Sequence, residues 1–107
     1  MNNYAVDRKK WSKLDILSQM GNISSEVGRA INAKKAGDEN RAEGAITRAI
    51  DLFDATTEDL ISKKSPRAKE VLRAKDQFLA LFFDSNFADA DKLEQYFMNY
   101  AIAARNT

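Results

Sequence analysis

The chain of 107 residues contains no histidine and no cysteine. Without cysteine there is no disulfide, no thiolate nucleophile and no thiolate zinc site. Without histidine no side chain has an unperturbed charge change near neutral pH, and a Ser-His-Asp arrangement is excluded. Di-iron bundles built on Glu-x-x-His ligands are excluded with it. Four glycines and one proline leave few turn signals for a strand-rich fold. No apolar run approaches the roughly 18 residues of a membrane span, so no membrane association is expected. The cationic stretch from Met1 to Lys13 is not followed by the apolar core of a signal peptide. Neither sign of charge dominates, with 17 basic and 16 acidic residues and a net charge of +1. Hence no global field draws the chain to nucleic acid or anionic lipid. A cytoplasmic protein is the expectation.

What is present is apolar and charged residues in alternation, 44% and 31% of the chain. That balance belongs to a globular domain, and the length suits one domain over residues 1–107. The periodicity is helical nearly throughout. A first helix is predicted over 12–36, with Ser12 as cap and Asp15 completing a capping box. Trp11 and Ile16 stand at staple spacing around that cap. Its buried stripe is Ile16, Met20, Ile23, Val27, Ala30 and Ile31. Gly21, Ser24 and Gly28 edge the stripe and allow a neighbouring helix to come close. Gly37 is the predicted stop and Asp38 the next cap.

The second predicted helix, 38–63, carries Ala42, Ile46, Ala49, Phe53 and Leu60, with Thr56-Thr57 as a loosening pair of β-branched neighbours. Ser65-Pro66 is the clearest boundary, a cap followed by proline at the first helical position. The third helix, 66–84, has Ala68, Val71, Leu72, Phe78, Leu79 and Phe82 on its stripe. Its end, Phe78 to Phe83, is apolar over about 200° at 100° per residue, twice what a one-sided stripe needs. That end is either central in the bundle or buried against another chain. After a break at Asp84-Ser85-Asn86, Asp89 caps a fourth helix, 89–105, on the stripe Leu93, Tyr96, Phe97, Tyr100, Ala101 and Ala104. Residues from Met1 to about Asp7, and Asn106-Thr107, are expected to fray. The fold class is therefore all-α, an antiparallel up-down four-helix bundle.

Three constellations carry what chemistry the chain has. Asp51-x-x-Asp54 and Asp91-x-x-Glu94 are acid pairs of the kind that chelate Mg²⁺ in all-helical nucleotide hydrolases. Helical phase points them away from the core stripes, toward solvent, so no metal, catalytic or cofactor-binding residue is assigned. Lys63, Lys64, Arg67, Lys69, Arg73 and Lys75 form a basic segment with one acid, Glu70, and are the residues a nucleic-acid contact would use. The surplus apolar residues Leu81, Phe83, Phe87, Met98 and Ile102 are the expected oligomer interface.

The segment Trp11-Ser-Lys-Leu, with Gln19-Met-Gly-Asn-Ile-Ser-Ser-Glu-Val-Gly-Arg-Ala30, resembles the opening of a group of small prokaryotic helical proteins. Their pattern is a Trp and then Gln-Met-x-Asn-Ile-x-Ser-Glu-Val-x-Arg-Ala. The ending from Tyr96 to Arg105 is similar to their last helix. The resemblance implies a four-helix fold and brings no activity. The arrangement is more distantly similar to HEPN domains and to the S23-type bundles that accompany ribosomal RNA insertions and diversity-generating retroelements. The Arg-x₄₋₆-His motif of HEPN ribonucleases is not carried over, because no histidine follows Arg105. The expected function is that of a non-enzymatic, self-associating interaction protein, a homodimer through the last two helices. The alternatives are a nucleic-acid-associated bundle using residues 63–75 and a Mg²⁺-dependent nucleotide hydrolase.

Overall fold

A computed structural model describes residues 5–83 and 87–105. The elements are α1 (Arg8–Trp11), α2 (Ile16–Lys35), α3 (Glu39–Ser62), α4 (Ala68–Phe83) and α5 (Ala90–Arg105), with a single 3-10 turn, Phe87–Asp89, before α5. No strand occurs among the described residues. The expected break at Asp84-Ser85-Asn86, the fraying of residues 1–4 and Asn106-Thr107, and the side chains of Ala101 and Ala104 lie outside the described residues.

The helix ends follow local chemistry. The cap of α2 is Asp15, whose carboxylate accepts the N–H of Ser18 at 2.8 Å. Ser12 is not that cap: its hydroxyl donates to the Lys9 carbonyl at 2.8 Å and helps close the one-turn helix α1. The cap of α1 is Asp7, which accepts from the N–H groups of Lys9 and Lys10. So the segment from Val6 onward, expected to fray as far as Asp7, is held. Asp38 caps α3 by accepting the Arg41 N–H at 3.1 Å. Ser65 Oγ accepts the N–H of Arg67 at 3.2 Å in a turn, and α4 starts only at Ala68, so Ser65-Pro66 marks the boundary but is not the cap and first position of the helix. The helix α3 runs unbroken past Thr56-Thr57; the Thr57 hydroxyl donates to the Phe53 carbonyl at 2.9 Å, so the pair does not loosen it.

Two helices stop in the same way. At the end of α2, Asp38 N–H bonds Ala33 C=O and Gly37 N–H bonds Lys34 C=O, with Gly37 at φ 75°. At the end of α3, Ser65 N–H bonds Leu60 C=O and Lys64 N–H bonds Ile61 C=O, with Lys64 at φ 57°. Both are Schellman closures, which place one residue in the left-handed region. Glycine adopts it freely, whereas a side chain costs about 1 kcal/mol or more there. Lys64 is exposed. Lys64→Gly is therefore expected to stabilise the fold by about 1 kcal/mol. A urea melt should show a higher midpoint at unchanged slope; a lower midpoint would mean the lysine side chain contributes something the strain argument omits.

In the packing, α2 lies against both α3 and α5, and α3 also takes α4, while α4 and α5 touch each other only lightly. The core runs from Met20, Ile23, Val27 and Ile31 of α2 through Ala45, Ala49, Phe53 and Leu60 of α3. Val71, Ala74, Phe78 and Leu81 of α4 and Leu93 and Phe97 of α5 complete it. Phe53 stands 5.7 Å from Phe78 and 5.7 Å from Phe97 between ring centres, joining three helices at one point. Leu72 is not in this core, although its spacing put it on the stripe: it is an exposed residue of α4. Leu79 and Phe82 pack at its margin.

Candidate functional site

Three of the four acids of the pairs, Asp51, Asp54 and Asp91, are each held by a different cation. Asp51 accepts the Val6 N–H at 2.7 Å and Arg8 Nη1 at 2.7 Å. Three residues on, Asp54 accepts Lys75 Nζ of α4 at 2.7 Å instead. Asp91 is bound by Lys35 Nζ at 2.8 Å across the α2–α5 seam, and Glu94 reaches toward Gly28 of α2. Among the described residues no group of three or more acids converges as a metal site would require. The Arg8 bonds belong to a larger arrangement that sequence reasoning missed. Trp11 Nε1 donates to Thr56 Oγ1 at 2.9 Å, and Gln19 Nε2 bonds the Trp11 carbonyl and Asp59 at 3.0 Å each. Lys63 Nζ ties the Ser12 carbonyl to Asp59. Residues 6–14 are thereby strapped to α3.

The basic segment is divided by the same acids. Lys63 and Lys75 are drawn into pairs with Asp59 and Asp54. Lys64, Arg67, Lys69 and Arg73 are exposed. Glu70 lies among them on α4, but its carboxylate accepts the hydroxyls of Tyr96 and Tyr100 from α5. The Tyr100 hydroxyl, aided by Tyr96 and Arg67 and opposed by partial burial, holds the Glu70 carboxyl below its ordinary range. Burial, then the neighbouring Tyr100 and Glu70, pushes the Tyr96 phenol up from its ordinary 10.0. This polar contact bridges α4 and α5 where their backbones stand apart. Beside it a cleft of about 430 Å³ opens, floored by Leu81 and Leu93 and rimmed by Gln77, Asp89, Lys92 and Tyr96. Its charges are of both signs, so it carries no field that selects an anion or a cation.

The expected interface residues do not form one surface. Leu81 is buried in the core at 3% exposure and has nothing to offer a partner. Phe87 packs on the core, its ring 5.9 Å from Phe82. Phe83 is 68% exposed, Met98 40% and Ile102 46%. Met98 follows Asp91 by seven residues, two helical turns, and so shares the α2 flank on which Asp91 meets Lys35. Phe83 follows Lys75 by eight residues, and so lies toward the α3 flank, where Lys75 meets Asp54. The two exposed groups thus belong to different sides.

The flank that carries Phe83 holds more than the sequence suggested. Leu72 is 43% exposed and Ile61, at the end of α3, is 61% exposed. Along α4 the residues Lys69, Leu72, Asp76, Leu79 and Phe83 recur at spacings of three, four, three and four. That is the a/d spacing of a coiled-coil seam, with Leu72 and Phe83 in solvent and Leu79 at the margin of the core. Lys69 and Asp76 are both exposed. The spacing was present in the sequence, but its polar members at positions 69 and 76 hid it from a search for apolar stripes. No helix among the described residues is long and apolar enough to cross a membrane. No protein-family model matches this chain, and no curated protein or solved structure was found to be significantly similar to it.

Proposed function

We propose that the chain is a non-enzymatic helical interaction protein whose activity is to associate with itself. The observation that carries this reading is the exposed apolar flank of α4, where Phe83, Leu72 and the adjoining Ile61 stand in solvent. Large apolar side chains grouped on one side of a monomer are the usual mark of a contact surface. The absence of histidine and cysteine, and the pairing of Asp51, Asp54 and Asp91 with separate cations, support the non-enzymatic half of the reading.

In this reading α2 to α5 form an antiparallel up-down bundle. Supporting that order, Lys35 in the last turn of α2 reaches Asp91 in the first turn of α5. Glu26 of α2 meets Arg48 of α3, and Lys75 of α4 meets Asp54 of α3. The rings of Phe53 and Phe97 join α3 and α5 across the centre.

Light scattering across a concentration series tests the proposal. The expected result is a mass that rises from 12.0 kDa toward twice that value. A strict monomer at the highest concentration overturns it.

A further inference from the structure

We infer that the second copy docks on α4 in an antiparallel arrangement, with the two-fold axis beside Leu72 and reciprocal Lys69–Asp76 ion pairs across it. This rests on the self-association reading and specifies its surface. The argument begins with the charges. Lys69 and Asp76 lie on the outward seam of α4, one on each side of Leu72, and neither has a hydrogen-bonded or ion-pair partner among the described residues. A single pair of opposite charges on one helix is self-complementary under one operation only. In an antiparallel apposition about the midpoint of residues 69 and 76, Lys69 of each copy faces Asp76 of the other. A parallel apposition in register sets lysine against lysine and aspartate against aspartate, which is repulsive.

The apolar residues fit the same axis. The midpoint falls beside Leu72, so the two copies of Leu72 meet at the centre of the contact. Phe83 lies eleven residues beyond Leu72, about 16 Å along the helix and on the same face. Antiparallel apposition carries Leu79 and Phe83 of each copy past the start of the other's α4. There the exposed apolar residues are Ile61 and Pro66, beside the exposed cations Lys64 and Arg67. Ile61 follows Asp54, the partner of Lys75, by two turns, and so emerges beside the first turn of α4 on this flank. The most exposed apolar residues at opposite ends of the flank, Phe83 and Ile61, therefore cover each other's region in a closed dimer. An isologous contact closes on itself and leaves no seam for further copies. Met98 and Ile102, on the α2 flank of α5, take no part.

Cysteine cross-linking separates this inference from the reading beneath it, because the chain has no cysteine of its own. Leu72→Cys is expected to form a disulfide-linked dimer under mild oxidation, and Met98→Cys is not. Lys69→Glu should weaken the dimer by about tenfold through like-charge contacts. Lys69→Glu combined with Asp76→Lys should restore it. All four positions are exposed, so loss of folding is not the expected cause of an effect, and circular dichroism of each variant checks that. A wild-type dimer that cross-links through Met98→Cys but not Leu72→Cys overturns the proposed surface and leaves self-association standing. A dimer indifferent to both charge variants overturns the ion-paired axis. A wild-type monomer overturns both the surface and self-association.

Discussion

Phe53→Ala is expected to cost about 3–5 kcal/mol, the range for deleting a fully buried phenylalanine. Phe53 has no exposed surface, and its ring contacts Phe78 of α4 and Phe97 of α5, each at 5.7 Å. The Phe78 ring continues to Phe82 at 5.2 Å, and Phe82 to Phe87 at 5.9 Å. Aromatic pairs of this kind add about 0.5–1.5 kcal/mol each beyond area burial. The position matters more than the count. Because α4 and α5 hardly touch, each is held mainly by the elements it packs against, and Phe53 is where α3 meets both. A domain this size has about 5–15 kcal/mol in all, so the loss takes a large fraction of it. Phe53→Leu keeps much of the volume and loses the ring geometry, and should cost about 1–2 kcal/mol. Urea melts followed by circular dichroism measure both. A cost under about 1 kcal/mol for Phe53→Ala would mean that the ring chain does not hold α4 and α5 to α3.

The sequence made the inner half of this architecture legible and left the outer half ambiguous, for a reason visible in α4. Phe78 and Leu81 face the core, whereas Leu72 and Phe83 face solvent, yet all four fall within the one wide apolar sector. Periodicity gives the width of a sector but not which neighbouring helix is close enough to cover each edge. Here the edge that carries Leu81 is covered, whereas the edge that carries Leu72 and Phe83 is left in solvent. The stripe of α2 raised no such question, since helices cover it on two sides, and Met20, Ile23, Val27, Ala30 and Ile31 are all buried as spaced. The turn at Gly37-Asp38 was readable because it is local chemistry: a left-handed residue and a side-chain acceptor. The short helix α1 was not readable. One turn of Arg-Lys-Lys-Trp has no period, and the partners of its Arg8 and Trp11 side chains on α3 lie more than 40 positions away: Asp51, Thr56 and Glu58. The same distance explains why Asp51 looked like half of a metal pair. Its spacing from Asp54 was visible, while Arg8 and the Val6 N–H were not.

Trp11→Ala carries the second large expected effect, about 3–5 kcal/mol, from a residue outside every predicted stripe. Trp11 is buried, and its indole N–H donates to the hydroxyl of Thr56, which is itself fully buried. Removing the ring leaves a cavity between the strap and α3 and takes away the Thr56 hydrogen-bond donor. The consequence should be local before it is global. Residues 6–14 are held to the rest by the Asp51, Thr56, Lys63 and Gln19 contacts, so losing the central anchor should release the whole segment. Amide exchange then speeds at Val6 and at position 11, whose N–H groups bond Asp51 Oδ2 and the Asp7 carbonyl, while α4 keeps its protection up to the lowered global limit. The hydrogen bond and the packing are separable. Trp11→Phe removes the donor and keeps most of the ring, and Thr56→Val removes the acceptor at nearly constant volume. Each alone leaves a buried polar group unpaired and should cost about 1–3 kcal/mol. The double variant leaves neither group unpaired, so its cost should fall below the sum of the two by about 1 kcal/mol. Strict additivity would mean the indole–threonine contact contributes nothing as a pair, and that Trp11 holds the strap by packing alone.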